Sequence, residues 1–194
     1  MACGIFRDWH IRVDNNLLSK KDKNMSRLYI VGFMGCGKTS WGKKLAAGLG
    51  YDFIDLDHAL EAQVGMTIAE YFASHGEDAF RKLESQVLKE TEYPENVIVS
   101  TGGGLPCFFD NMDWMNAHGE TLYIQLSPKG LASRLENAKT PRPVLQGKKG
   151  DELVAFIEHK LAEREGFYLK ATHYVDGIDM SVEKLVEIVG LKAI

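Results

Sequence analysis

GFMGCGKT, residues 32–39, decides the fold of this chain, because it fits the pattern G-x-x-x-x-G-K-[ST]. It follows LYIV (28–31), four residues suited to a buried strand, and leads into Lys38–Leu49, which reads as a helix. Glycines in such a loop let successive backbone N–H groups turn inward, making an anion-binding nest at a helix N-terminus. Lys38 supplies a point charge for β and γ phosphates, and the Thr39 hydroxyl is placed to ligate Mg²⁺. ATP or GTP binding follows. The motif alone names no reaction.

Outward from this loop, short apolar runs alternate with helical patterns. DFID (52–55), VIVS (97–100), TLYIQL (121–126) and YVD (174–176) read as further strands. Thr67 opens a helix with Glu70 three residues on, a capping box, and a separate periodic stretch runs from Glu77 to Thr91. Ser127 and Pro128 begin another helix, residues 151–171 form a long one, and Ser181–Val189 a closing one. Strands alternating with helices imply an α/β fold with a parallel sheet covered on both faces. NAKTPRPVLQGKKG (137–150) breaks the regularity, and a loop of that length within a compact domain reads as a lid or binding element.

Composition narrows the function. The 194 residues are 45% hydrophobic and 26% charged, enough for one compact domain with a sizeable core. A net charge of −4 argues against a nucleic-acid surface while leaving room for a local basic pocket. No apolar run is long enough to span a bilayer. Cys3, Cys36 and Cys107 are widely spaced and read as unpaired thiols of a cytoplasmic protein. Residues 1–24 lack a secretory pattern and end in the polar run SKKDKN. They are expected to be an N-terminal extension, disordered or non-native, before a domain at 25–194.

A second anion site is legible in pieces. FIDLD ends the second strand, and strand alternation would point Asp55 and Asp57 the same way, toward the ligand-binding edge of the sheet. Asp57 could instead cap a following helix. VIVSTGGGLP (97–106) ends the third strand with no acid, so Asp55 is the candidate to hold Mg²⁺ through water, leaving Asp57 to face an acceptor. Arg81 in FRKLE and Arg164 in EREGFY would each, alone, be solvated surface residues. Together with a glycine turn they would make a carboxylate site, since guanidinium forks match carboxylate geometry.

GFMGCGKTS, FIDLD, FRKLE, STGGG, PRPVL and EREGFY occur in the order and approximate spacing of bacterial shikimate kinases, which the chain resembles from Leu28 to Val189. The resemblance implies a three-layer α/β/α fold with a five-stranded parallel sheet, like P-loop nucleoside-monophosphate kinases, and a lid at about 137–150. It implies phosphorylation of the shikimate 3-hydroxyl by ATP with Mg²⁺. Gly35, Cys36, Gly37, Lys38, Thr39 and Ser40 would hold ATP, with Arg142 reaching over the phosphates from the lid and Arg134 beside adenine. Asp57, Arg81, Gly102, Gly103, Gly104 and Arg164 would hold shikimate, within a region reaching from about 57 to 91. Thr39, and Asp55 through water, would serve the metal. Lys38, Asp57 and Arg142 would carry catalysis. A monomer is expected, with no nucleic-acid or membrane partner. GKTS stands where the family commonly has GKST, and either hydroxyl can bind Mg²⁺. The rival readings are a gluconate- or nucleoside-monophosphate-type kinase and a non-catalytic ATP sensor. Paired arginines disfavour a base-binding pocket, and Lys38, Asp55 and Arg142 disfavour a sensor.

Overall fold

A computed structural model describes residues 26–138, 145 and 147–194. Five strands, β1 (Ser26–Val31), β2 (Asp52–Asp55), β3 (Asn96–Ser100), β4 (Glu120–Gln125) and β5 (His173–Asp176), pair in parallel in the order β2-β3-β1-β4-β5. Successive residues of the three central strands, Leu28–Val31, Val97–Ser100 and Thr121–Ile124, are all buried. Side chains alternate across a strand, so unbroken burial means that both sheet faces are covered. Exposed positions fall at Asp52 on β2, at Gln125 where β4 ends, and at Tyr174 and Asp176 on β5. The expected three-layer α/β fold is what forms.

The helices are α1 (Lys38–Leu49), α2 (Leu56–Val64), α3 (Ile68–Glu90), α4 (Asn111–His118), α5 (Pro128–Glu136), α6 (Gly150–Tyr168) and α7 (Val182–Val189). Among the described residues none is long and apolar enough to cross a membrane. The Thr67 capping box is present: Glu70 N donates to Thr67 Oγ1 at 3.2 Å, and Thr67 N to Glu70 Oε2 at 2.8 Å. The two helical stretches expected at 67 and 77 meet in α3, where Gly76 departs from helical backbone at φ 78°. α4 and the 3₁₀ turn Leu105–Cys107 have no counterpart in the sequence reading. Buried Asn111 secures them, its Oδ1 accepting from Ser85 Oγ at 2.7 Å and its Nδ2 donating to Leu105 O at 2.9 Å.

This strand order places the chain reversal beside β1. β1 is flanked by β3 and β4, so the loops after β1 and β3 leave neighbouring strands on opposite sides of a crevice where open α/β sheets bind ligands.

Candidate active site

The loop after β1 is built as its glycines require. Gly37 adopts φ 104° immediately before α1, a left-handed backbone that disfavours a side chain. Lys38, 8% exposed, folds into the loop and donates from Nζ to Gly32 O at 2.8 Å and Phe33 O at 3.1 Å. Cys36 is buried in the same turn, while Thr39 and Ser40 are exposed at the start of α1. Arg134 on α5 braces the loop, donating to Cys36 O at 2.8 Å and, with its other nitrogen, to Gly177 O at 2.7 Å. It thereby ties the phosphate loop to the turn after β5. The position expected for adenine contact is thus also a structural strut.

At the carboxyl edge of the sheet, Thr39 Oγ1 donates to Asp55 Oδ2 at 2.7 Å and lies 3.3 Å from Ser100 Oγ. Asp55 also accepts from Asp57 N on Oδ1 at 3.1 Å, making Asp55 the N-cap of α2. This corrects the cap reading of Asp57. Strand alternation also fails to relate the two aspartates, because β2 ends at Asp55 and Leu56 already belongs to α2. Two hydroxyls and a carboxylate beside Lys38 are hard oxygen donors of the kind Mg²⁺ takes. Among the described residues no group of three or more His, Cys, Asp and Glu could hold a metal by itself. A magnesium ion here would complete its shell with phosphate oxygens and water, its usual habit.

The glycines after β3 answer to three different neighbours. A Cβ on Gly102 would lie 2.8 Å from both Asp57 Oδ1 and Glu84 Oε1. One on Gly104 would lie 2.7 Å from an Arg81 guanidinium nitrogen, and one on Gly103 would lie 3.1 Å from Met34 N in the phosphate loop. Bare backbone is therefore needed twice for side chains of the acceptor region and once to seat the turn against the loop after β1. Thr101 completes that seating by donating to Ile30 O from N at 3.2 Å and from Oγ1 at 3.0 Å.

Arg81 and Arg164, on α3 and α6, converge on this turn. Arg81 is held by Glu77 Oε1, 3.0 Å from Nη2, and by Glu84 Oε2, 2.5 Å from Nη1, with its carbon 4.4 Å from the Phe108 ring centre. The Arg164 carbon lies 5.6 Å from the Phe33 ring centre, over the phosphate loop. Both guanidiniums act on Glu84 and on Cys107, which places them around one space. Burial pushes the Glu84 carboxyl up to about 7, against the pull of Arg81 and with a push from Asp57. Burial likewise raises the Cys107 thiol to about 11, leaving it protonated and inert at neutral pH. Buried Tyr168 anchors α6 by donating from its hydroxyl to Gly103 O at 2.5 Å.

The structure thus brings together Lys38, Thr39, Asp55, Asp57, Arg81, Arg164 and Gly102–Gly104. Arg142 and most of the expected lid, residues 139–144 and 146, lie outside the described residues. Sequence reasoning assigned no part to Glu84, Ser100 or Tyr168. Glu84 had a signal, its spacing of three from Arg81 on one helix face. A cavity of about 470 Å³ lies apart from this site, between α6 and the strands β4 and β5, at Tyr123, Gln125, Glu158, Glu165 and Asp176.

A family model described as shikimate kinase matches residues 34–190. The shikimate kinase of Parabacteroides distasonis is 48% identical over 159 residues, spanning 82% of this chain and 92% of that protein. Among solved structures, the shikimate kinase of Bacteroides thetaiotaomicron superposes with a TM-score of 0.82 at 42% identity, over 86% of this chain and 99% of that one. The shikimate kinase of Acinetobacter baumannii in complex with shikimate gives a TM-score of 0.74 at 29% identity, over 84% of this chain and 89% of that one.

Proposed function

This chain belongs to the shikimate kinase family and phosphorylates the 3-hydroxyl of shikimate with ATP, and from that membership we propose how its residues divide the reaction. Shikimate lies over the Gly102–Gly104 turn, with Arg81 and Arg164 clamping its carboxylate and Asp57 holding its ring hydroxyls. The observation that supports this placement is the double approach to one turn. Asp57 comes against Gly102 and Arg81 against Gly104, so the hydroxyl and carboxylate ends of one small acceptor both find partners there.

ATP phosphates occupy the nest from Gly35 to Ser40, with Lys38 on the β and γ groups, Arg142 above them, and Arg134 at the adenine side. Thr39, and Asp55 through water, hold Mg²⁺, which when bound offsets charge on the phosphate oxygens. Asp57 orients the attacking hydroxyl and receives its proton late, because a loose transition state makes that hydroxyl acidic only as transfer proceeds. Positioning is its main task. The lid at about 137–150 excludes water, which would otherwise compete as acceptor.

ATP and shikimate are the partners we assign, with no nucleic acid or membrane. The enzyme acts as a monomer in the cytoplasm. Residues 25–194 carry the activity, and a chain beginning at Met25 retains the full turnover of the 194-residue protein; a marked loss counts against that boundary. Steady-state kinetics of Arg164→Lys test the clamp. Loss of the fork raises KM for shikimate about 10- to 100-fold while KM for ATP holds. An unchanged shikimate KM overturns the clamp.

A further inference from the structure

Glu84 has no part in the chemistry above, yet it lies against both Arg81 and the Gly102–Gly104 turn. It is 4% exposed and lies three residues beyond Arg81 on α3. One of its oxygens accepts from Arg81, while the other and Asp57 Oδ1 close in on Gly102, each 2.8 Å from where a Cβ there would sit. Arg81 thus already answers to Glu84 and to Glu77 before any acceptor arrives. The ionisable groups facing Glu84 are Arg81 on α3, Asp57 on α2, Arg164 on α6 and the Cys107 thiol of the 3₁₀ turn.

We propose that Glu84 takes up one proton from solvent when the shikimate carboxylate binds, and returns it when product leaves. The inference rests on the acceptor placement proposed above. The incoming carboxylate adds a third negative charge to a space served by two guanidiniums. In a desolvated site such an excess is relieved by protonating the group with the least access to water. That group is Glu84, since Asp57 is only half-buried. Burial already holds Glu84 near neutrality, so one further adjacent negative charge moves it to the protonated side. No covalent bond to substrate forms or breaks; the Glu84 carboxylate and a solvent proton become a carboxylic acid. Neutral Glu84 ceases to compete ionically for Arg81, whose charge then serves the substrate. It also removes a negative charge from beside Asp57. Glu84 is on this account a positioning residue.

Calorimetric titration of shikimate into the full chain, without ATP, in buffers of different ionisation enthalpy counts the protons exchanged. Uptake is expected to approach one proton at about pH 8 and to fall toward zero at about pH 6, where Glu84 is already protonated. Glu84→Gln is expected to bind shikimate with no uptake at either pH. In the wild type, KM for shikimate is expected to rise above about pH 7 while kcat holds, and this rise is absent from Glu84→Gln. Binding without uptake at about pH 8, or uptake persisting in Glu84→Gln, overturns the inference. Should that variant not fold, the wild type decides alone, because uptake constant from about pH 6 to 8 also overturns it. Absence of both shikimate binding and shikimate-dependent ADP release would overturn the acceptor placement itself, whereas binding without uptake overturns this inference alone.

Discussion

Thr39 and Asp55 are joined by a 2.7 Å hydrogen bond although their strands are not neighbours. Asp55 ends β2, the loop of Thr39 follows β1, and β3 runs between them. The bond reaches across the end of β3 because that strand finishes in the small Ser100, opposite Asp55 in register, with its hydroxyl 3.3 Å from Thr39 Oγ1. Moving the acid one strand outward leaves the end of β3 free to carry the glycine turn that faces the acceptor.

Asp55→Asn separates the two tasks of this residue. Asparagine caps a helix about as well as aspartate, so α2 is expected to keep its start and the melting temperature to stay nearly unchanged. The charge behind the metal's water shell is lost, and the Mg²⁺ concentration for half-maximal rate is expected to rise about 10- to 100-fold. Rate against Mg²⁺ concentration, beside a melting curve, checks both parts.

Asp57→Asn is expected to fold normally and lose about 10²- to 10⁴-fold in kcat. Because Asp55 supplies the α2 cap, no cap is lost with the Asp57 charge. A large fall in melting temperature with retained turnover would contradict this.

Gly104→Ala places a Cβ 2.7 Å from the Arg81 guanidinium, and the displaced fork no longer meets the acceptor carboxylate. KM for shikimate is expected to rise about tenfold or more, with KM for ATP little altered, since Gly104 touches nothing in the phosphate loop at that distance. Initial rates with each substrate varied in turn give the comparison.

Stability is expected to depend on pH through Glu84. Its carboxyl is raised from an ordinary 4.5 to about 7, so the fold favours its protonated form. The stabilisation is complete below about 4.5 and is lost as pH rises through about 7, an effect on the order of 3 kcal/mol. Melting temperatures of the substrate-free wild type should therefore fall, relative to Glu84→Gln, between about pH 5 and pH 8. Parallel curves for the two proteins would contradict it.

Much of the fold was legible in local pattern. The Gly32–Thr39 loop, the Thr67–Glu70 box and the Ser127 cap depend on residues within a few positions of one another, and each formed. α4 was not legible, because NMDWMNAH has no apolar stripe and depends on Asn111 bonding to Ser85 and Leu105. The aspartates of FIDLD were legible as a pair but not in their division of labour, which turns on β2 ending at Asp55. Arg81 and Arg164 could be named from sequence, but their convergence needed α6 docked on the glycine turn through Tyr168 and Gly103. Glu84 drew attention only once its burial was known.

The central claim, that the glycine turn and its two arginines receive shikimate, is tested most directly by a coupled measurement of ADP release at saturating ATP and Mg²⁺. Shikimate, gluconate and AMP serve as alternative acceptors. The account predicts rapid release that depends on shikimate, with gluconate and AMP near the acceptor-free background. Release independent of shikimate, or stimulated equally by gluconate or AMP, would contradict it.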